Sequence, residues 1–566
     1  MPKITINGKK INAKSGQTIL SVAYEQGIKV PTLCFMKDLN EIGFCRMCVV
    51  ELEDNKDLVS ACDTPIKKGM NIFTDSDKVI ESRTATLAQL AKRHKFNCWV
   101  CPRGDGSCDF YNLLKNYSVN DFLFGPAKGR FDYIIGGSAI NQDQTKCVLC
   151  KKCVAACKYV NANVLKFRDD NPEEPFVSPT PGLSFDESGC ISCGECTLVC
   201  PTGTLIETDH MDKVEKEIRL GKHVIAQLDP AVKGTIGEMF GYKVGQNIAE
   251  VENKLHDGLL ELGFSEVQDL SNAADLMLME QAAELITRLE KFDNGETNML
   301  PMFTSSSPGW IRYIEQFEPN YLENLSTIKS PHMINASLLR MTNKDSYLVS
   351  IMPNTASKYE IARKEMNGSV DAVLTTREFS RMLLKNKLIM RDLQDTVSED
   401  YKGYGKMFGS IGVETVATLN QASKILTGAS LELDLNSVRS LDENIKEATI
   451  TVGDKTLNVA VVHGGPGMKR IFQILATTKK QYHFIEIQDN FGGLLNAGGQ
   501  QIAKEQYLIG TNIAKIRTEG YTVEAGLPQD NPFVKNVYEK LLSKPGSNEA
   551  YKLLHTKFSK KSFRRE

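Results

Sequence analysis

At 566 residues the chain is several times the usual domain length, and its 68 Lys and Arg nearly balance 70 Asp and Glu, which argues against a nucleic-acid face. The opening MPKITINGKK has no apolar signal core or twin-arginine motif, and no run of about 18 apolar residues occurs, so the sequence reads as soluble, cytoplasmic and without a membrane span. All 15 cysteines lie between Cys34 and Cys200, and their odd count and tight repeated spacings favour metal binding over disulfides.

In chain order, KITI and KINA alternate around a turn and TILSVAYEQG gives a helical segment ending at Gly27, predicting a small β-rich unit over 1–78. Within it Cys34, Cys45, Cys48 and Cys62 form C-x10-C-x2-C-x13-C, four thiolates that suit a [2Fe-2S] cluster, with Gly43 as the small residue a loop hugging sulfur needs. A zinc knot is the alternative, although zinc sites more often pair two short C-x2-C units.

A second unit over 79–130 turns helical from Ile80 to about Lys115, with Leu87, Leu90 and Ala91 at helical spacing. His94, Cys98, Cys101 and Cys108 follow as H-x3-C-x2-C-x6-C, and His94 and Cys98 share one face if that segment is helical. Read alone, three thiolates and an imidazole suit structural zinc as well as a [4Fe-4S] cluster.

The third unit, 131–210, carries one pattern twice at an offset of 43 residues: Cys147, Cys150, Cys153 and Cys157, then Cys190, Cys193, Cys196 and Cys200, each C-x2-C-x2-C-x3-C. In the two-cluster arrangement the fourth cysteine of each run serves the other cluster, so Cys200 joins Cys147, Cys150 and Cys153, while Cys157 joins Cys190, Cys193 and Cys196. The second run ends in Pro201; the first has Lys158 there instead. The link RDDNPEEPFVSPTPG between the copies reads as a surface loop.

From 211 to 555 the apolar runs HVIAQL, SYLVSIM, LNVAVVHG and YHFIEI alternate with helical stretches, predicting a large α/β region with a mixed or parallel sheet. The basic tail 556–566, KFSKKSFRRE from Lys557, reads as a solvated end, with a docking arm for an acidic partner as the alternative. GGPG at Gly464–Gly467 is too weak a pattern to be a phosphate cradle.

This order of cysteine sites ahead of a large cysteine-free region resembles the modular [FeFe]-hydrogenases, whose N-terminal part is also similar to the large iron-sulfur subunit of NADH dehydrogenase. LDPAVKGTIGEMFG, FTSSSPGW, NLSTIKSP, SIMPNTASKYE, DAVLTTREFSRM and FIEIQDNFGGLLNAGGQ look like the family's signature segments in the family's order. The resemblance implies a multidomain α+β and α/β protein: a β-grasp [2Fe-2S] ferredoxin domain, a [4Fe-4S] domain with one histidine and three cysteine ligands, a double [4Fe-4S] ferredoxin domain and a hydrogenase-like α/β domain. It also makes the His94 set a [4Fe-4S] site, with a last gap one residue longer than the family's.

Where an active member has two cysteines before Pro-Gly-Trp, this chain has Ser306, at the proton-relay thiol, and Ser307, at a cluster ligand. Asn354, Asn490 and Leu494 replace the other three ligands, and Ser357 stands for a lysine that hydrogen-bonds the di-iron unit. Neutral amides and leucine do not replace thiolates, so the expectation is one [2Fe-2S] and three [4Fe-4S] clusters, no hydrogen cluster and no hydrogen turnover. Gly492, Gly493, Gly498, Gly499, Pro308 and Trp310 then read as backbone and packing residues, and Glu360 as a structural acid.

The leading functional reading is an electron-wiring subunit of a soluble NAD(P)H and ferredoxin oxidoreductase of the electron-bifurcating type. The resemblance implies a flavin-containing NADH-binding subunit, a small thioredoxin-like [2Fe-2S] subunit and ferredoxin as partners. Its likeness to the hydrogenase-like subunits of formate dehydrogenase complexes adds a formate-oxidising subunit. Two other readings are an altered-pocket enzyme lined by Ser306, Ser307, Asn354 and Ser357, and a redox sensor or assembly factor.

Overall fold

The computed structural model describes every residue except 56, 121–133, 171–174, 247, 367, 396–402, 432, 503–511, 521–525 and 565–566. The predicted boundary at 130 therefore lies outside the described residues.

The N-terminal unit is a five-stranded sheet in the order Lys9–Asn12, Lys3–Ile6, Asn71–Phe73, Val49–Leu52, Val59–Ser60. It grips the helix Ile19–Glu25, whose Ile19, Leu20, Val22 and Ala23 pack into one core with Ile6, Val50 and Ile72. Thr18 caps that helix by accepting from the Ser21 N–H, and Gly27 at φ +70° ends it.

The helix Asp77–Ala91 follows, burying Val79, Leu87 and Ala91. It stops before His94, and Cys98–Val100 form a separate short 3-10 turn, so His94 and Cys98 do not share a helical face as the spacing suggested. Leu87 and Ala91 join Phe110, Leu114, Leu33, Met47 and Val148 in a core that ties this segment to the units on either side.

The internal repeat is visible in the backbone itself. Leu149 and Lys151 have φ of +58° and +63°, and 43 residues later Ser192 and Gly194 have +61° and +77°. Each cysteine loop then runs into a helix, Lys152–Tyr159 and Glu195–Val199. The link between them is not simply a loop: Lys166–Arg168 and Phe176–Ser178 at its ends pair as an antiparallel ribbon. Val177 is buried there and its carbonyl accepts from Gln142 and Gln144, which gives the link a reason to fold.

The C-terminal region holds two four-stranded sheets. One is wholly parallel, in the order Glu266–Asp269, Val224–Leu228, Tyr347–Met352, Ala372–Thr375. The other runs Met302–Phe303, Phe484–Gln488, Lys455–His463, Ile445–Val452, antiparallel only at its last pair. The four apolar runs read from the sequence are the inner strands of these sheets. Both faces of the first sheet are covered, one by Ser271–Asp293 and Val413–Thr427, the other by Ile248–Glu261 and Thr376–Lys385, which explains strands apolar on both sides. Among the described residues no helix is long and apolar enough to cross a membrane.

The basic tail is not a free end. The Lys561 N–H donates to the Glu315 carbonyl at 3.1 Å and the Arg564 N–H to the Glu187 carbonyl at 3.1 Å. Phe563 meets Phe317 edge to face at 5.3 Å and presses on Gly189, where a Cβ would stand 2.7 Å from its ring. Phe563 and these two backbone hydrogen bonds strap the tail across the junction of the repeat and the C-terminal region.

Candidate metal centres

The N-terminal loop brings Cys34, Cys45, Cys48 and Cys62 together in two hydrogen-bonded pairs. A hydrogen bond from Cys34 draws the Cys45 thiol down to about 6, and one from Cys62 lowers Cys48. The Cys45 N–H points at the Cys34 sulfur at 3.5 Å, and the Gly43 N–H reaches Cys62. Gly43 sits at φ +59°, and a Cβ there would stand 2.2 Å from Asp63 Oδ2, so the small residue is required on both counts.

His94, Cys98, Cys101 and Cys108 line one pocket with Phe96, Phe110 and Gly203. His94 Nδ1 lies 2.9 Å from the Lys146 carbonyl, so it carries the proton and leaves Nε2 as the free ligand nitrogen. Burial pulls the ring down to about 4, which keeps it neutral, as ligation needs. Gly203, not singled out in the sequence, packs so closely that a Cβ would stand 2.4 Å from the Cys101 sulfur.

The fold of the repeat gathers Cys200 beside the first cysteine run. Cys147, Cys150, Cys153 and Cys200 line a second pocket. Burial raises Cys153 far above the usual thiol value, and the charges of Cys150, Cys200 and Cys147 add to it. Cys196 is raised the same way, by burial and then by Cys190 and Cys157. So many buried, mutually opposed thiols ionise only against strong positive charge, which iron supplies.

These sites adjoin one another. Asn40 donates to the carbonyls of Cys34 at 2.6 Å and Cys150 at 3.3 Å, bridging the first site to the repeat. The Phe110 N–H donates to Pro201 beside Cys200, tying the His94 site to the same group. Arg312, also missed in the sequence, reaches from the C-terminal helix Pro308–Phe317 to Ser192 Oγ at 2.8 Å and Asp186. Its charge opposes the burial that lifts Cys190 to about 11.

Of the C-terminal residues that replace the family's cluster ligands, Ser307, Asn354 and Asn490 form one polar network. Ser307 donates to Asp489, and Asn354 donates to Asp489 at 3.2 Å and to Asn490 at 3.3 Å. Asn490 donates to Glu195 at 2.9 Å and to the Cys193 carbonyl at 3.4 Å, so the network reaches the second cysteine run. Ser306 donates to Glu414 at 2.7 Å, Leu494 lies in the apolar core, and the Ser357 hydroxyl is buried without a partner. Burial lifts Asp489 to about 6 and Glu195 to about 7.

Asp489 was not anticipated. Its carboxylate lies among the replaced ligand positions, and a Cβ at Gly309 would stand 2.1 Å from its Oδ2. An acid ending the apolar run FIEIQ was the available signal. The retained residues are structural as expected: Trp310 is fully buried with its indole N–H on the Thr304 carbonyl, and Glu360 accepts from Ser330 and pairs with His332, both at 2.7 Å. Gly498 lets backbone pass where a Cβ would meet the Cys193 carbonyl at 2.1 Å, and Gly465 does so against Val160 Cα at 2.2 Å. The GGPG run thus serves packing.

Residues 222–493 match the model for the iron only hydrogenase large subunit, C-terminal domain. Residues 2–77 match a 2Fe-2S iron-sulfur cluster binding domain, 146–204 a 4Fe-4S dicluster domain and 514–561 the iron hydrogenase small subunit. The chain is 34% identical to iron hydrogenase 1 of Clostridium pasteurianum, over 99% of this chain and 100% of that one. It is 32% identical to the NADP-reducing hydrogenase subunit HndD of Solidesulfovibrio fructosivorans, over 99% of both. Among solved structures it is similar to an apo variant of the [FeFe]-hydrogenase HydA1 from Chlamydomonas reinhardtii, with a TM-score of 0.54 and 27% identity over 62% of this chain and 99% of that one.

Proposed function

Because the chain belongs to the iron-only hydrogenase family and carries its [2Fe-2S] and [4Fe-4S] domains, we propose that it is a non-hydrogenase member: the electron-transfer subunit of a cytoplasmic NAD(P)H-linked oxidoreductase complex. The observation that carries this reading is the contrast between its two halves. Four sets of buried or half-buried thiolate and imidazole ligands adjoin one another, whereas the pocket that would hold a catalytic cluster offers hydroxyls, amides, a carboxylate and a leucine.

In this proposal Cys34, Cys45, Cys48 and Cys62 hold a [2Fe-2S] cluster, and His94, Cys98, Cys101 and Cys108 a [4Fe-4S] cluster. Cys147, Cys150, Cys153 and Cys200 hold a second [4Fe-4S] cluster, and Cys157, Cys190, Cys193 and Cys196 a third. Such clusters accept and release single electrons at potentials set by charge, hydrogen bonding and exposure. The protein's own part is to space them and tune them: Asn40 and Pro201 join neighbouring sites, the His94 imidazole removes one negative charge from its ligand set, and Arg312 adds a positive one beside Cys190.

The hydrogen cluster does not fit. Thiolate ligands are absent, and Asp489 lies where a further buried negative charge would oppose an anionic cluster. We assign the C-terminal domain the role of scaffold for partner subunits, which we take to include a flavin-bearing NADH-binding chain, a small [2Fe-2S] chain, ferredoxin and a formate-oxidising subunit. Electron bifurcation and coupling to formate oxidation complete the proposal, on the strength of the family resemblance and of HndD's name as a subunit of an NADP-reducing enzyme.

Iron quantitation and EPR of the anaerobically purified chain, with a hydrogen assay after exposure to hydrogenase maturation proteins, test it. The expected result is about 14 irons per chain, no hydrogen, and copurification with a flavoprotein. About six more irons, or any hydrogen, would sink the reading.

A further inference from the structure

We propose that Lys151 is a positioning residue for electron transfer, clamping the loop of the Cys34 site onto the first cysteine run of the repeat and so fixing the spacing between those two sites. The inference deepens the proposed function and rests on its ligand assignment. Lys151 follows Cys150 directly and holds a left-handed φ of +63°, which is strained for a residue with a side chain. In the second copy of the repeat the same position is Gly194, at φ +77°, where glycine meets the same backbone demand without strain. The turn therefore does not call for lysine; something outside it does.

That something is a pair of rings. Lys151 Nζ lies 3.7 Å from the centroid of Phe167 and 4.1 Å from that of Phe44, and the two rings meet edge to face at 6.3 Å. Phe44 stands between Gly43 and Cys45 in the first cysteine loop, and Phe167 lies on the ribbon strand Lys166–Arg168 beyond the first run. Phe44 is 45% exposed, so core burial is not what holds it. An ammonium between two ring faces supplies that attraction.

The equivalent turn does the same job by the opposite means. A Cβ on Gly194 would stand 2.4 Å from Thr355 Oγ1 and 2.8 Å from Gly498 Cα, so the C-terminal region approaches it backbone to backbone. The two copies of the turn thus face the two neighbouring domains, one joined by a cation over two rings and the other by bare glycine.

The test compares holoprotein of wild type, K151G, K151M and K151R by hydrogen exchange over residues 40–48 and 164–168, and by the EPR spin-spin splitting between the reduced [2Fe-2S] cluster and its neighbour. K151G relieves the backbone strain, so a merely local role predicts unchanged or slower exchange. The clamp predicts faster exchange in both segments and loss of the splitting in K151G and K151M, recovery in K151R, and the same loss in F44L and F167L. Unchanged exchange and splitting in K151G at full iron content overturns the clamp. A wild type lacking the [2Fe-2S] signal overturns the ligand assignment beneath it, and the exchange comparison still decides the clamp.

Discussion

Restoring cysteine at the four ligand positions, as S307C/N354C/N490C/L494C, should leave this protein a poor host for a catalytic cubane because Asp489 remains. The Asp489 carboxylate accepts directly from Ser307 and lies 3.2 Å from the Asn354 amide, so thiolates at 307 and 354 would come within about 4 Å of it. Two unit charges at that separation oppose each other by about 4 kcal/mol at an effective dielectric near 20. Protonating Asp489 is cheaper: from a value of about 6 it would cost about 1.4 kcal/mol at pH 7 and about 2.7 at pH 8, and less in this variant, which removes the Ser307 and Asn354 hydrogen bonds that lower it. The protonation route therefore wins, and the penalty on cluster uptake should be at most about tenfold at pH 7 and about a hundredfold at pH 8.

The assay is anaerobic reconstitution of the four-cysteine chain with and without D489A, reading irons bound beyond about 14 against pH. Taking the ratio of the two chains at each pH cancels the titration of the thiols themselves. A ratio that stays near one from pH 6 to pH 8, or a D489A chain that takes no additional iron at any pH, would refute the reasoning.

Three other outcomes follow from the geometry. H94A should lose one [4Fe-4S] EPR signal and about four irons, whereas H94C should keep them and lower that cluster's midpoint potential in a redox titration, because a thiolate restores the negative charge the imidazole removed. G203A should lose the same signal while leaving the repeat's clusters intact, since its methyl would stand 2.4 Å from the Cys101 sulfur. Glu414 is pushed up to about 8, by burial first and then by Glu486. Its contribution to stability is full below its unfolded value near 4.5 and is lost as pH rises through about 8. E414Q should therefore flatten the fall in Tm between pH 5 and pH 9.

The sequence was most legible where chemistry demands a spacing. Cysteine intervals picked out the groups of thiols, and Cys200 lines one pocket with Cys147, Cys150 and Cys153. Strands apolar on both faces were legible for the same reason, because a doubly covered parallel sheet leaves nowhere for polar residues. What stayed hidden depends on contacts between segments far apart in the chain. His94 is fixed by a carbonyl 52 residues away, Asp489 matters only because the fold sets it among Ser307 and Asn354, and the tail's Phe563 acquires meaning only when Phe317 and Gly189 are in place. The misplaced shared face of His94 and Cys98 has the same origin, since spacing alone cannot tell where a helix stops.

The seam between the repeat and the C-terminal domain has a bearing on how such proteins can be recombined. At three places it is made at glycine, where Gly194 meets Thr355 Oγ1 and the Gly498 backbone, where Gly498 meets the Cys193 carbonyl, and where Gly465 meets the Val160 backbone. A surface of that kind has almost no tolerance: one methyl group at any of these places separates two backbones. Another ferredoxin with identical cysteine spacing could not be grafted here by matching its motif, nor this repeat moved to a new host. The redox module behaves as a fitted part rather than an interchangeable cassette, and exchange between lineages would have to carry both sides of the seam together.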